Sequence, residues 1–301
     1  MHLLDTPAVI ERPAGFVRVT GSDRLNYLQT LLSQDVEHVA AGEAADFLYL
    51  DAKGNAFAAG RLVAFAGEIV VVVPPETAES LAERLASYTF LLDAGAEQIE
   101  GWAFASARGP EPITAAGARD TPMTGAPHGG GMVLRDRTGG IDWIGPAEWV
   151  REVAADTGLP EASPQEWEAY RISAAEPGWH TEIDAGRRPQ ELGLLPTHVH
   201  LRKGCYPGQE SIAKTYNLGR PRRSLCVVAF DGEVTAGDEV TAGEKTGEVT
   251  SAAATDEGYI ALVLVPVDRE GELRGDGKVS VGDVSGSVLR RVGEGLPQPG
   301  A

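Results

Sequence analysis

Two cysteines, Cys205 and Cys226, are all that a chain of 301 residues carries. That is too few for a disulfide framework and fits thiols kept reduced. Basic residues are also scarce, 26 against 44 acidic for a net charge of −18. Phosphate contacts need a basic surface, so a general nucleic-acid binder is excluded and no direct nucleic-acid partner is expected. Long apolar runs are missing: IVVVVPP at 69–75 is far too short to cross a bilayer, and the opening MHLLDTPAVIERPAG has neither a basic n-region nor an apolar h-region. The expectation is a cytoplasmic protein with no membrane partner. GxGxxG and GKS-type phosphate loops are absent, and GGG at 129–131 has no context that makes it one.

What is present describes a globular chain, 43% hydrophobic and 23% charged. At this length one core has usually stopped growing, which predicts two or three domains. GFVRVTG at 15–21 reads as a strand, and Ser22 or Asp23 then caps a helix with Leu25, Leu28, Leu31 and Leu32 on one face. ADFLYLD, AFAAGRLVAF and EIVVVVP read as strands, the last two turned by Ala66-Gly67. A helix is predicted over 77–88, burying Leu81, Leu85 and Tyr88. Residues 106–131 have no apolar period and read as a long loop or inter-element excursion with a mobile trace. MVLRD and GIDWIG are strands, Pro146 opens a helix with Trp149, Val150 and Val153 inward, and Ser163-Pro164-Gln165-Glu166 is a capping box for another, with Trp167, Tyr170 and Ala174 inward. Beyond Arg223 short segments separated by Gly and Asp turns predict a small β-barrel. The expected division is 1–222, 223–292 as the barrel, and 293–301 as a flexible tail.

Residues 203–210 read KGCYPGQE. Pro207-Gly208 makes a turn and QESIAK starts a helix, so Cys205 stands just ahead of a helix N-terminus. There the backbone amides, the helix dipole, Lys203 and Arg202 favour a thiolate. The residues alone leave another reading open, in which Cys205 is a small buried hydrophobe and the glycines only permit a tight loop. His198 and His200 lie on one face of an extended segment, but their distance from the thiol is not fixed by spacing, so no base is assigned. Read as metal ligands, His198, His200 and Cys205 have irregular spacing and no CxxC beside them, and no metal is assigned. Around the cysteine the charge balance inverts: Arg187, Arg188, Arg202, Lys203, Lys214, Arg220, Arg222 and Arg223 face only Glu191 and Glu210. Such an island suits an anionic ligand or an acidic partner, or is no more than solvated loops.

KGCYPGQE, with RPQELGLL before it and SIAKTYNLGRPRRSL after it, resembles the signature of the YgfZ branch of the folate-binding superfamily that includes the aminomethyltransferase of glycine cleavage, the T-protein. SDRLNYLQTLLSQDV resembles that superfamily's first helix, LDAKGNAFAAGRLV its glycine-turn hairpin, EAYRISAAEPGWHTEI its R-I-x-x-G-x-P-x-x-x-x-E stretch, and GEVTSAA part of its barrel. The resemblance implies an α+β fold of two interlocked ferredoxin-like α/β subdomains forming a folate pocket, plus a C-terminal β-barrel. It implies tetrahydrofolate or a derivative as cofactor, with Glu182 gripping the pterin through a bidentate carboxylate. Arg202, Lys203, Gly204, Tyr206, Gly208 and Gln209 are then expected to line the folate site, with Cys205 the functional thiol at its edge. An acidic glutamyl tail on the folate would meet the basic island. Where aminomethyltransferases show two aspartates, this chain has Ala58 and Ala59, which cannot act as acid or base. Ala175 stands where the superfamily usually has glycine. The implied function is an accessory protein in iron–sulfur cluster assembly or repair, supporting tRNA-modifying iron–sulfur enzymes through a client or assembly partner. The alternative is a folate-dependent one-carbon transferase.

Overall fold

The computed structural model describes residues 5–184, 186–219 and 221–300. The chain forms two compact units, Met1–Tyr49 with Ala58–Ser163, and Leu50–Phe57 with Pro164–Ala301. In the first, the chain starts in one sheet and leaves it at once. Strand β1 (Ala8–Arg12) belongs to that sheet, while β2 (Gly15–Thr20) founds another. Helix α1 (Arg24–Leu31), strands β3 (Ala44–Leu50), β4 (Ala56–Ala64) and β5 (Ile69–Val73), helix α2 (Pro75–Ala86) and strand β6 (Gly95–Ile99) follow, giving the order β3-β4-β5-β2-β6. The chain then returns to the first sheet with β7 (Trp102–Arg108), β8 (Gly125–His128), β9 (Gly131–Arg135) and β10 (Ile141–Pro146), in the order β1-β7-β10-β9-β8. This return interlocks the two five-stranded sheets, as the resemblance implies. Helix α3 (Ala147–Ala155) packs on β7 and β10, and α2 on β2 and β6.

Alternation along the strands explains the packing. Phe16, Val63, Val70 and Val72 of one sheet meet Phe104, Met132, Leu134 and Ile144 of the other in a shared apolar core. The same rows then turn ionic. Two residues from Val63 lies Arg61, two and four from Phe104 lie Ser106 and Arg108, and two from Ile144 lies Asp142. Arg61 bonds Asp46 through Nε at 2.8 Å and Asp142 through Nη1 at 2.5 Å. Arg108 Nη2 reaches the other Asp142 oxygen at 2.8 Å, Ser106 Oγ donates to it at 2.7 Å, and Arg137 Nε meets Asp46 at 3.0 Å. Asp136 faces both Arg61 and Arg108. Burial would raise the Asp136 carboxyl, but these guanidiniums and the bonds from Thr138 hold it well below the ordinary range.

Two expectations fail here. The stretch 106–131 is neither all loop nor loose, since its ends lie in β7, β8 and β9. Arg135 staples the remainder by donating to the carbonyls of Ile113, Arg119 and Gly139. Tyr88 is not core: α2 ends at Ala86, and Tyr88, Phe90 and Leu91 are 59%, 92% and 86% exposed on the turn beyond it.

The second unit contains helix α4 (Pro164–Ser173), a π-helical turn at Trp179–Ile183, the short helix α5 (Leu195–His198) and helix α6 (Gln209–Leu218). A closed barrel follows, built from β11 (Arg223–Phe230), β12 (Glu239–Ala242), β13 (Lys245–Thr255), β14 (Gly258–Pro266), β15 (Lys278–Val281) and β16 (Val284–Arg291), in the order β11-β14-β13-β12-β15-β16. Val228, Phe230, Val240, Val249, Ala261 and Val263 fill it. The barrel begins at Arg223, but the compact units do not divide there. Helix α4 packs on β13 and β14, and buried polar groups join the two, so the barrel and residues 164–219 form one body. The segment after 292 is also not a free tail: Gln298 Nε2 donates to the carbonyls of Leu195 and Val199, and Leu201 N–H to that of Pro299. No helix among the described residues is long and apolar enough to cross a membrane.

Candidate functional site

Tyr206-Pro207-Gly208-Gln209 is a type II turn, with Gly208 at φ 79° and ψ −3° and Gln209 N–H bonded to the Tyr206 carbonyl at 3.3 Å. Proline sets the first central residue and only glycine accepts the second without strain. Helix α6 starts directly after it. The turn does not stand alone, because Gly208 packs backbone to backbone on the Asp51-Ala52-Lys53-Gly54 turn. A Cβ at Gly208 would lie 2.6 Å from the Asp51 carbonyl oxygen, and one at Gly54 2.8 Å from Ser211 Oγ. Two glycine motifs far apart in sequence thus fix one another.

On this base Cys205 is exposed, which removes the reading of a buried hydrophobe. Its flanks anchor inward: Tyr206 and Lys203 are buried, and Lys203 Nζ lies 5.2 Å from the Tyr206 ring centroid. Burial pushes the Tyr206 phenol up to about 12. Of the residues expected at a ligand, Arg202 and Gly204 are exposed, Gln209 is half-buried with Oε1 accepting from Tyr206 N–H, and Gly208 is buried. Cys226 is a barrel-core residue on β11 whose thiol burial pushes up to about 12. His198 is not on an extended segment, since it ends α5 and pairs through Nδ1 with Thr197 Oγ1 at 2.7 Å. No cluster of metal-ligating side chains occurs among the described residues.

Glu182 departs most from expectation. It is fully buried in the π-helical turn, and the protein's own donors occupy both carboxylate oxygens. Oε2 accepts from Gly178 N–H at 2.7 Å, Thr181 Oγ1 at 2.6 Å and Arg171 Nη1 at 3.2 Å, while Oε1 accepts from Ser251 Oγ at 2.7 Å. Arg171 is equally committed: its other bonds go to Glu168, the Glu176 carbonyl and Ser251 Oγ. Burial works against the charged carboxylate, but Arg171 and the hydroxyls of Thr181, Thr250 and Ser251 hold its pKa below the ordinary value. As folded, Glu182 has both oxygens engaged by the protein's own donors. It binds the R-I-x-x motif to barrel strand β13.

The basic island also disperses. Arg187 bonds Glu248 and the Thr181 carbonyl, Arg188 bonds Ser211 Oγ, and Arg223 pairs with Glu191. Arg220 lies outside the described residues. Ala58 and Ala59 are buried on β4, leaving no carboxylate at those places.

Helix α4 ends in a Schellman motif, with Glu176 N–H bonded to the Arg171 carbonyl and Ala175 N–H to that of Ile172. Ala175 sits at φ 59°, where a Cβ is strained. Ala175→Gly is therefore expected to stabilise the protein by about 1 kcal/mol, read as a higher urea midpoint at unchanged slope.

No protein-family profile matches the chain. A chloroplastic protein of Arabidopsis thaliana named as a transferase is 24% identical over 298 residues, covering 91% of this chain and 68% of that protein. The tRNA-modifying protein YgfZ of Aliivibrio fischeri is 30% identical over 111 residues, 34% of this chain and 35% of that one, and the YgfZ of Colwellia psychrerythraea 20% identical over 229 residues, 70% and 68%. The chain is thus similar to these YgfZ proteins, at low identity or over part of its length. Its fold is that of the glycine cleavage aminomethyltransferase T of Bartonella henselae, with a TM-score of 0.80 at 16% identity over 97% of this chain and 87% of that one. Within this fold the exposed Cys205 and the buried Glu182 are the two parts of the motifs that chemistry singles out.

Proposed function

We propose that this YgfZ-like protein binds a reduced folate and serves, through Cys205, as an accessory factor for iron–sulfur enzymes that modify tRNA, and that it is not an aminomethyltransferase. The observation that carries the reading is an exposed thiol on a rigid loop, in an aminomethyltransferase fold whose β4 has alanine at 58 and 59. The fold supports folate as ligand class, and the names of the YgfZ relatives support the connection to tRNA modification. A net charge of −18 makes a protein client a better partner than tRNA itself.

The chain's own residues divide the work. Arg202, Gly204, Cys205 and Gln209 offer polar atoms on the accessible side of the loop, whereas Lys203, Tyr206 and Gly208 hold its shape. Glu182 acts as a positioning residue. An anaerobic calorimetric titration with tetrahydrofolate, run on wild type and Cys205→Ser, is expected to give saturable binding in both. Only Cys205→Ser should lose the ability to support maturation of an iron–sulfur client. Absence of tetrahydrofolate binding by the wild type sinks the folate half of the proposal, and full client maturation with Cys205→Ser sinks the thiol half.

A further inference from the structure

One end of the barrel gathers more positive than negative charge. Pro221, Arg222, Val267, Asp268, Arg269 and Arg274 line an open cavity of about 320 Å3 in the second unit. Three segments deliver the arginines: Arg222 precedes β11, Arg269 follows β14, and Arg274 begins the 3-10 turn Arg274–Gly277. Backbone contacts hold these segments together. Val267 N–H donates to the Arg222 carbonyl at 3.0 Å, Val267 bridges Leu273, and Arg291 Nη1 donates to the Gly271 carbonyl at 2.8 Å.

The one carboxylate in the lining is turned into its own loop. Asp268 Oδ1 accepts Glu272 N–H at 2.8 Å. That bond, those from the Glu270 and Gly271 amides, and the nearby Arg274 charge keep its carboxyl below the usual range. Glu272 itself faces Arg291 at 3.7 Å. Among the described residues, no side-chain hydrogen bond or ion pair engages the guanidinium of Arg222, Arg269 or Arg274. Three guanidiniums and one carboxylate give the opening a net +2, in a chain of net −18. Like charges around one opening raise each other's energy, and Asp268, near Arg274, answers only part of that charge.

We propose that this opening is a binding subsite for a compact polyanion, a ligand carrying two or more phosphate or carboxylate groups. The planar fork of a guanidinium pairs with either group through two parallel bonds, and forks arriving from three separate segments can hold adjacent anionic groups of one ligand. Arg222 alone comes from the basic run around the cysteine. Arg269 and Arg274 join it only through the barrel's folding. The proposal stands apart from the folate reading, and neither requires the other.

The test is calorimetric titration of the full chain with tripolyphosphate and, in a second arm, with triglutamate, at roughly 20 mM and 150 mM salt. Saturable binding in either arm is expected, weaker at the higher salt and weakened about tenfold or more by Arg222→Gln and by Arg269→Gln. Binding in the phosphate arm alone assigns a phosphate-bearing ligand, and in the glutamate arm alone a polycarboxylate. Arg18→Gln, an arginine of the first unit already paired with Glu68 and Glu97, serves as the control and should leave binding unchanged. All three cavity arginines are exposed, so the thermal melts of their variants should coincide with wild type. The proposal is overturned if neither polyanion binds, or if the triple variant Arg222→Gln, Arg269→Gln, Arg274→Gln binds as wild type does.

Discussion

Glu182→Ala is expected to destabilise the protein by about 3–5 kcal/mol, the usual cost of leaving one member of a buried ion pair alone. The arithmetic follows from the partners. The substitution takes from the buried Arg171 guanidinium one of its two carboxylate partners, leaving Glu168, and removes the acceptor of Gly178 N–H, Thr181 Oγ1 and Ser251 Oγ. Each buried donor left without a partner costs about 1–3 kcal/mol before relaxation. Urea unfolding monitored by circular dichroism measures the loss. Glu182→Gln keeps the shape but turns an amide N–H toward donors, so it should recover part of the loss and no more.

The pH dependence gives a second readout. The folded pKa of Glu182 is depressed. Its contribution is therefore fully present above the unfolded carboxyl's pKa of about 4.3 and is lost as pH falls through the folded value. The gap between wild type and Glu182→Gln should accordingly be widest near neutrality and narrow below about pH 4. A pterin contact by Glu182 would add a second effect, a fall in folate affinity measured on the fraction of Glu182→Ala that remains folded. An unaltered urea midpoint for Glu182→Ala would refute the positioning role.

Local chemistry was legible in the sequence, and long-range pairing was not. Pro207-Gly208 announced its turn because the φ requirements of a type II turn are met by two adjacent residues. The barrel after Arg223 was legible from its short strands and turns. That Gly54 would rest on Gly208, or that Ser251 would bond Glu182, no periodicity encodes. The misplacement of Tyr88 has a physical origin as well. Its i, i+7 spacing from Leu81 continues the apolar stripe of α2, but Ser87 caps the helix, and Tyr88 N–H turns back to the Leu85 carbonyl. His198 was read as extended because Leu-Pro-Thr-His is too short to show a helical period. One signal was available and unused: Arg61, Ser106, Arg108 and Asp142 are polar residues at apolar parity in strands, which marks charges buried together.

Those charges carry the second large effect. Arg61→Met is expected to cost about 3–5 kcal/mol, because Asp46, Asp136 and Asp142 would lose the buried guanidinium they share. The substitution preserves apolar volume, so lost charge pairing rather than a cavity accounts for the change. Asp142→Asn removes the carboxylate that Arg61 met at 2.5 Å and also the charge that faces Arg108, so the double variant should lose less than the sum of the two single variants, a coupling that a double-mutant cycle in urea measures. Strict additivity of the two substitutions would show that the pair does not act as a unit. Acid should act in the same direction as the single variant. The folded Asp136 pKa lies below its unfolded value, so its stabilising contribution is present above the unfolded pKa of about 3.9 and disappears as pH falls toward the folded one. With Arg61 replaced, Asp136 loses one of the two guanidiniums that depress it. Its protonation then moves to higher pH, and acid unfolding of Arg61→Met should begin at a higher pH than that of wild type.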